Sequence, residues 1–278
     1  MKKCKWIYYN HALIPDAAPH EIIEIPKFDK KFWKNSEGYP LLARWISDFD
    51  CETKTQFWYI IRTGSYETIQ LSKSTRKHIR QASKKSYVRE IEDDEIEKVY
   101  SCYQAAYRRY EKADNFREFE SVKAEFLNRK NKNMFYYGAF CIGTDVLIGF
   151  FICTYHYEYL EINMSKFDPE YMKLHPSDAL HDYVLKHWMN KPEIKYISSG
   201  SRSLNHETNV QEYKINTFGF RKAYCKIHIQ YRPCIYPIVK ALYGVRHLLE
   251  KLDKNKFIHA VNTILKMEEI VRMQSVIK

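Results

Sequence analysis

Three apolar, aromatic-rich runs follow one another in the middle of the chain, and they constrain the fold more than any other feature of the sequence. The runs cover residues 134–142, 146–155 and 159–165, and they are separated by Gly143-Thr144-Asp145 and by a short turn at 156–158. Runs of this length between turn residues are typical of strands, and such short turns connect antiparallel neighbours. The sequence therefore predicts an antiparallel meander.

Helical periodicity lies on both sides of this meander. Apolar side chains recur every three or four residues over 93–110 and 119–128 before it, and again after Pro176. Shorter elements complete the order: a strand at 87–91 before these helices and then, after the Pro176 helix, a strand at 194–198, a short helix and a strand at 224–231. This order predicts an α+β fold in which a mixed, mostly antiparallel sheet is flanked by helices.

Three segments are expected along the chain. Residues 1–70 contain scattered prolines and one firm strand, Phe57 to Ile61, and are expected to form an irregular N-terminal subdomain. Residues 71–232 hold the main α+β domain, and its first helix is expected at 71–82. Residues 233–278 contain two amphipathic patterns that predict a C-terminal helical hairpin.

The C-terminal hairpin allows two interpretations. In one, the helices at 236–252 and 257–273 pack on the domain through their apolar stripes. In the other, a basic amphipathic surface makes a peripheral contact with an anionic membrane. The cations of that surface are Lys240, Arg246, Lys251, Lys254 and Lys256.

Composition narrows the class of protein. The 278 residues include 45 Lys+Arg and 34 Asp+Glu, for a net charge of +11, and this excess suits nucleic acid, an anionic membrane or a phosphorylated substrate. No apolar run approaches the roughly 20 residues of a membrane span. Seven scattered cysteines without a C-x-x-C pair favour reduced thiols in the cytoplasm over a disulfide framework or a zinc site. A cytoplasmic protein is expected.

Four short motifs resemble the FemAB-like branch of the GNAT acyltransferase superfamily, and they occur in the same order over about residues 71–232. The segment 71–82 resembles an "LSK-x-TRR-x-I-RRA" helix entry, and His175-Pro176-Ser177 resembles a second helix entry. The segment 196–200 resembles a "YDFGG" strand, and Tyr213-Lys214 with Phe218-Gly219-Phe220 resembles "FK-x-x-FG". The resemblance implies a GNAT-like fold and transfer of an acyl group to an amine.

The sequence departs from coenzyme-A-dependent members of the superfamily at two places. Those members carry a glycine-rich loop whose N–H groups cradle a diphosphate, whereas 164–177 contains no glycine. They also often carry a tyrosine four residues before the final Gly-Phe, where this chain has Ile215. FemAB-like peptidyltransferases, which take an aminoacyl group from charged tRNA onto a peptidoglycan precursor, share both departures but generally contain two GNAT-like halves.

The resemblance implies an acyltransferase acting on a bacterial cell-envelope precursor or surface glycan, with no tightly bound cofactor and no metal. The acyl donor is either aminoacyl-tRNA or acyl-coenzyme A, and the acceptor is an amine. Two alternatives stay open: an acetyl-coenzyme-A-dependent N-acetyltransferase of a small molecule or sugar, and a non-catalytic basic module that binds RNA or an anionic membrane. No oligomeric state is predicted.

Candidate site residues follow from the motifs and from strand alternation. Lys214 is expected to stabilise negative charge on the reacting acyl group, and Glu161 to accept a proton. The expected substrate-binding residues are Asn163, Ser165, Ser199, Ser201, Arg202 and Tyr213. The expected phosphate-binding residues are Lys73, Arg76, Lys77 and Arg80.

Overall fold

A computed structural model describes residues 1–34, 38–108, 116–204, 209–252 and 256–276 of the chain. The strands in this part are β1 (Trp6–Tyr9), β2 (Ala12–Pro15), β3 (Leu42–Cys51), β4 (Phe57–Thr63), β5 (Ser86–Glu90), β6 (Met134–Cys141), β7 (Leu147–Tyr155), β8 (Tyr159–Phe167), β9 (Tyr196–Ser201) and β10 (Arg221–Tyr231). The helices are α1 (Lys30–Lys34), α2 (Lys73–Ala82), α3 (Ile96–Tyr107), α4 (Phe119–Leu127), α5 (Pro176–Met189), α6 (Val210–Phe218), α7 (Tyr236–Tyr243), α8 (Arg246–Lys251) and α9 (Lys256–Val276). The class is α+β, as predicted.

The chain forms two compact units that interleave along the sequence. The terminal unit consists of Met1–Tyr59, Ser201–Thr208 and Lys222–Lys278, and the central unit consists of Ile60–Gly200 and Asn209–Arg221. Three of the four boundaries fall inside β4, β9 and β10. The division into segments 1–70, 71–232 and 233–278 stays a prediction.

The terminal unit is built on strands from both ends of the chain. A hairpin joins β1 to β2 through Asn10 and His11, which both have positive φ, and β2 runs parallel to β3. The long strand β3 pairs antiparallel with β10, from Leu42 opposite Tyr231 to Cys51 opposite Tyr224. Its main core joins the inner faces of β3, β4 and β10 to helices α7 and α9. The buried members of this core are Ala12, Leu42, Phe57, Cys225, Ile227, Tyr231, Val239, Leu265, Met267 and Ile270.

The expectation that residues 1–70 are irregular is wrong, because this segment contributes β1, β2, β3 and β4. The strand β3 lacks a clear alternation of apolar and polar residues, and Asp48 and Asp50 within it have positive φ. Its partner β10 is supplied from the other end of the chain, and the ladder is bulged between Tyr224 and Lys226. Long-range pairing therefore determines this strand, and local propensity does not.

The central unit contains the predicted meander. Its strand order is β9-β8-β7-β6-β5, with β8 and β9 parallel and the other neighbours antiparallel. Helices cover both faces. Helices α3 and α4 pack on one face, where Phe126 contacts Tyr136 at 5.0 Å between ring centroids, and α5 packs on the other, where His181 contacts Phe151 at 4.7 Å.

The prediction of a single helix over 236–252 is wrong, because the segment forms two helices, α7 and α8, that are separated at Gly244 and Val245. Glycine lowers helix stability by about 1 kcal/mol relative to alanine, so an interior glycine is a natural break point. Helix α9 follows at 256–276, close to the second helix that was predicted. No helix among the described residues is long and apolar enough to cross a membrane.

Close packing in the central unit predicts a large effect of one added methyl group. An alanine Cβ at Gly138 of β6 would lie 2.6 Å from Leu147 Cδ1 and 2.7 Å from Phe140 Cε2, and both of these side chains are buried. Gly138→Ala is expected to lower the free energy of unfolding by about 1–3 kcal/mol through overpacking. Chemical denaturation followed by circular dichroism measures the change.

Gly244→Ala is the matched control. Gly244 has helical φ of −63°, and its added Cβ would meet Ala241 O at an ordinary 3.6 Å. This substitution is expected to raise the free energy of unfolding by up to about 1 kcal/mol. Equal effects of the two substitutions would contradict the packing argument.

Candidate functional site

The candidate site lies in the central unit where two strands stop pairing. Strands β8 and β9 are in register only from Tyr159 opposite Tyr196 to Glu161 opposite Ser198. Beyond this point β9 continues with Ser199, whose hydroxyl accepts a hydrogen bond from Lys214 Nζ. The site is therefore built around the notch that opens between the strands.

Lys214 reaches this position through the local structure of α6. Lys214 and Phe218 are both buried and lie four residues apart, which places them on the same face of the helix. Gly219 ends the helix with φ of 68°, a left-handed conformation that glycine adopts without strain. The Lys-x-x-x-Phe-Gly pattern thus anchors the helix and turns the ammonium group inwards.

The ammonium group of Lys214 is removed from water. The residue is 3% exposed, and no carboxylate among the described residues forms an ion pair with it. Burial lowers the pKa of Lys214 from 10.5 to about 8. Lys214 is therefore not a solvated surface lysine. The thiol of Cys153 on β7 is also buried, and burial raises its pKa well above the usual range.

His181 of α5 adds a buried hydrogen-bond acceptor to the site. Its Nδ1 lies 2.8 Å from the carbonyl oxygen of Ser177, and because a carbonyl can only accept, Nδ1 carries the proton. Its Nε2 is buried and has no hydrogen-bond partner in the described part of the chain. Burial and the nearby Lys214 ammonium lower the pKa of His181 to about 3, so the imidazole is neutral at physiological pH.

Asp178 connects α5 to two other elements. One carboxylate oxygen accepts a hydrogen bond of 2.7 Å from the Tyr213 hydroxyl on α6. The other oxygen lies 3.5 Å from Nδ1 of His78 on α2 and 3.7 Å from Nδ1 of His175. Asp178 is 7% exposed and lies in the first turn of α5, where the positive end of the helix dipole favours a carboxylate.

The two imidazoles beside Asp178 lie as close to it and to each other as metal ligands do. One ligand atom from each of His78, His175 and Asp178 lies within 4.8 Å of the others. The two rings are stacked, however, with centroids 4.0 Å apart and planes at 7°. Lone pairs that lie in nearly parallel planes do not converge on one ion, so this arrangement does not fit a metal site.

The structure brings three of the residues expected from the sequence into the site. Lys214 and Ser199 are hydrogen-bonded, and Tyr213 is linked to Asp178. Burial raises the pKa of the Tyr213 hydroxyl, so this group is a donor rather than a phenolate. Their roles in catalysis and substrate binding stay predictions.

Glu161 and Asn163 lie on the opposite face of the sheet. Glu161 is paired with Thr154, which alternates with Cys153 along β7, and Asn163 accepts a hydrogen bond of 2.7 Å from the Thr154 hydroxyl. Cys153 shares the Lys214 face, so Glu161 lies on the other one, where its carboxylate is 3.7 Å from His156 Nε2. Ser165, opposite Phe151, is on the Lys214 face.

The remaining expected residues lie elsewhere. Ser201 and Arg202 belong to the terminal unit, where Arg202 donates to the Gln56 carbonyl oxygen at 2.6 Å and its guanidinium lies over the Trp58 ring. The four cations of α2 expected to bind phosphate are all exposed on its surface. They are Lys73, Arg76, Lys77 and Arg80.

Sequence reasoning missed the roles of His78, His175, Asp178 and His181. Asp178 and His181 are three residues apart on α5, and His175 directly precedes that helix with φ of 55°. Asp178 and His181 interrupt the apolar stripe of a helix that packs on a sheet. Polar residues at such buried positions are the one sequence feature that could have indicated their role. Their partners on α2 and α6 come from distant parts of the sequence, so the cluster itself required the fold.

Comparison with known proteins supports the fold. No sequence family model and no curated protein sequence matches the chain. FemX superposes with a TM-score of 0.50 and 7% identity over 66% of this chain and 63% of its own, so this chain spans less than two thirds of FemX.

Two further solved structures are similar at lower scores. L-PGS from Bacillus licheniformis has a TM-score of 0.43 and 11% identity over 78% of this chain and 67% of its own. A possible acetyltransferase from Clostridium difficile 630 has a TM-score of 0.33 and 17% identity over 40% of this chain and 75% of its own. At its low sequence identity, the likeness to FemX shows a shared α+β, GNAT-like fold and nothing finer.

Because Lys214 is buried, its charge is expected to lower the free energy of unfolding by an amount that depends on pH. Between pH 8 and 10.5 the native state has released the Lys214 proton while the unfolded state still holds it, so stability rises with pH across this window. Below pH 8 the charged, buried form makes the native state less stable. Lys214→Met is therefore expected to raise the free energy of unfolding at pH 7 by about 2–3 kcal/mol, with the difference shrinking above pH 8.

Urea denaturation of both proteins from pH 7 to 10.5 measures this difference. Lys195→Met, at an exposed lysine of the same unit, is the control and should change stability by no more than about 0.5 kcal/mol at any pH. A Lys214→Met variant that is less stable than the wild type at pH 7 would contradict the claim that the buried charge of Lys214 destabilises the native state.

Proposed function

We propose that this chain is an acyltransferase that moves an acyl or aminoacyl group from an activated donor to an amine on a bacterial cell-envelope precursor or surface glycan. The observation that carries the proposal is the buried Lys214 ammonium beside Ser199, at the notch of an acyltransferase-like sheet. The FemAB-like motifs around Lys214 and β9 support the envelope substrate.

The chemistry of the step defines the role of each group. The neutral amine attacks the acyl carbonyl carbon, a C–N bond forms, and negative charge develops on the carbonyl oxygen. The bond to the leaving oxygen or sulfur then breaks with its electron pair, and the amine proton goes to this leaving atom directly or through water. A positioned ammonium in a site of low dielectric stabilises the charge that develops.

Lys214 and Ser199 fit the stabilising role. Lys214 Nζ carries three N–H donors in its charged form, and the Ser199 hydroxyl engages one of them. No other described residue accepts from Nζ, which leaves two donors for an oxyanion. The unpaired Nε2 of His181 offers a neutral acceptor for an N–H or O–H group of a bound substrate. Glu161 faces the other side of the sheet from Lys214, so it can accept the proton only from a substrate that extends past the end of the β8–β9 pairing to that side.

The position of Asp178 favours aminoacyl-tRNA over acyl-coenzyme A as the donor. Helix α5 follows β8, and a helix N-terminus is where a diphosphate binds when glycines allow it to approach. In this chain the first turn of α5 already holds the buried Asp178 carboxylate. A diphosphate at this place would meet like charge as well as a loop without glycine. The exposed cations of α2 are then proposed contacts for the phosphates of the tRNA.

Removal of the Lys214 charge tests the catalytic role. With charged tRNA as donor and hydroxylamine as a generic amine, Lys214→Met is expected to lower the rate of hydroxamate formation by about 10²–10³-fold, as removal of an oxyanion donor does. Lys195→Met should retain the wild-type rate. Full activity of Lys214→Met would remove Lys214 from the mechanism.

The wild-type rate is also expected to fall above pH 8. Burial lowers the pKa of Lys214 to about 8, and the ammonium that stabilises the oxyanion is lost above it. Single-turnover rates from pH 6.5 to 9.5 measure the titration. A rate that rises through pH 8 would instead assign the neutral amine a role as a base and contradict the electrostatic one.

Thermal-shift titration distinguishes the donors. Coenzyme A and acetyl-coenzyme A at about 1 mM are expected to raise the melting temperature by less than about 1 °C, whereas charged tRNA is expected to raise it more than deacylated tRNA does. A rise of several degrees with coenzyme A would contradict the tRNA donor. Equal, strongly salt-dependent binding of charged and deacylated tRNA, without turnover, would favour a non-catalytic RNA-binding module.

A further inference from the structure

Two imidazoles meet one carboxylate oxygen at the junction between α2 and α5. His78 of α2 and His175, which directly precedes α5, place their Nδ1 atoms 3.5 Å and 3.7 Å from the same Oδ2 atom of Asp178. Both distances are within the range of an ion pair. The other carboxylate oxygen, Oδ1, already accepts a hydrogen bond from the Tyr213 hydroxyl. A single oxygen atom therefore faces both titratable rings.

The two rings also contact each other. They are stacked, with centroids 4.0 Å apart and planes at 7°. An ionised Asp178 balances the charge of one imidazolium ring, whereas a second imidazolium would face the first without an anion of its own. Like charges at this distance disfavour the charged form of each group. The first proton is therefore favourable in this cluster, and the second is opposed.

The helices around the two rings supply no second anion among the described residues. On α2, the hydroxyl of Ser74 lies 3.4 Å from His78 Nε2 and is neutral. The charged groups that act on His175 are His78 and Asp178. On α6, burial raises the pKa of the Tyr213 hydroxyl, so this group is a neutral donor. None of these neighbours balances a second imidazolium.

Other nearby charges do not balance it either. On α5, the carboxylate of Asp182 accepts a hydrogen bond from the Tyr66 hydroxyl. The short 3-10 helix Pro169–Leu174 also packs on α2, but its titratable side chains form no ion pair or hydrogen bond with either imidazole in the described part of the chain. These side chains are Glu170, Tyr171 and Lys173. Among the described residues, the junction thus offers one anion to two imidazoles.

The face of α2 that meets α5 includes His78. Thr75 and Ala82 are the buried residues of α2. They lie three residues before His78 and four residues after it, which places all three side chains on one face of the helix. A change in the charge of His78 therefore acts directly on the contact between α2 and α5.

We propose that His78, His175 and Asp178 form an acid-sensitive latch, which holds α2 on α5 at neutral pH and releases it when both imidazoles are protonated. Once α2 has moved away, both rings are in water and accept protons at their ordinary pKa of about 6.5. The open state thus binds more protons than the closed state below this pH, and acid favours it. In the closed state, burial and the nearby His78 lower the pKa of His175, which agrees with this direction.

Opening of the latch changes the position of a strongly basic helix. Helix α2 carries four exposed cations, Lys73, Arg76, Lys77 and Arg80. Release of α2 therefore makes the placement of these cations depend on pH. The latch rests on the contact between α2 and α5 and not on the proposed transferase activity, so the failure of either proposal leaves the other in place.

NMR titration of the histidine side chains in the full chain tests the coupling. From pH 8 to 5, His78 and His175 are expected to titrate in two steps, whose apparent pKa values belong to the pair and differ by at least about one unit. His78→Gln removes one cation and keeps an N–H donor, so His175 should then titrate in a single step, at higher pH than the second step of the pair. Two independent titrations at the ordinary pKa in the wild type would overturn the proposal.

Hydrogen exchange of the α2 amides tests the release. Their protection, corrected for the intrinsic effect of pH, is expected to fall about three- to tenfold between pH 7 and pH 5. Each unit by which the closed state lowers an imidazole pKa makes opening tenfold more favourable in acid. The amides of β7, in the centre of the sheet, should change by less than about twofold. Protection of α2 that does not depend on pH would overturn the proposal.

His156→Gln is the matched control. His156 lies 3.7 Å from Glu161, the same distance that separates His175 from Asp178, but its stacked neighbour is Tyr159 rather than a second imidazole. This variant should keep the wild-type fall in α2 protection.

His78→Gln and His175→Asn should each abolish the acid response. Asparagine suits position 175 because it tolerates the left-handed φ of 55° that His175 adopts. If either variant weakens α2 already at pH 7, the further change between pH 7 and pH 5 remains the measure. A fall in these variants as large as that of the wild type would assign the acid response to other groups and overturn the latch.

Discussion

The candidate site depends on one buried charge that the fold does not neutralise. Lys214 is held in an apolar environment by the helix that carries it, and its hydrogen-bond partner among the described residues is the neutral hydroxyl of Ser199. A charge placed in this way makes the native state less stable, yet it is ready to interact strongly with a charge that develops nearby. Phe218 and Gly219 hold α6 in position, and Ser199, which binds the ammonium, lies just beyond the end of the β8–β9 pairing.

Asp178 is the second constraint, because a single carboxylate orders three segments of the central unit. Its contacts reach His78 on α2, His175 before α5 and Tyr213 on α6. The stacked imidazoles cannot both be charged without strong repulsion, and burial together with His78 lowers the pKa of His175. The hydrogen bond from Tyr213 fixes the Asp178 side chain in the first turn of α5, and Asp178 is therefore a fixed part of the site.

The sequence predicted elements whose signal is local. The meander is confirmed, with β6, β7 and β8 close to their expected bounds, because short turns and apolar runs leave few alternatives. Helix α2 is confirmed too, and Ser72 caps it by accepting from the Thr75 N–H at 3.0 Å. The hairpin at Asn10 and His11 was missed, since no glycine follows Asn10 to mark the two-residue turn.

Features that join distant segments could not be predicted in the same way. The strand β3 has its partner about 180 residues away, and the Asp178 cluster draws on residues from 78 to 213. Lys214 was selected from a motif, but its burial followed only from the packing of α6. Alternation along β8 alone does not say which face of the sheet Glu161 occupies. The register between β7 and β8 decides this.

The interleaved order of the two units has a consequence for synthesis of the chain. All residues of the central unit have been made once Arg221 is added, whereas β3 is made early and must wait for β10. At about 5–20 residues per second, translation of the roughly 170 intervening residues takes on the order of 10–30 s. During this interval a ten-residue strand has an unpaired edge. The nascent chain is therefore most exposed to aggregation, and most dependent on chaperones, before its last strand emerges from the ribosome.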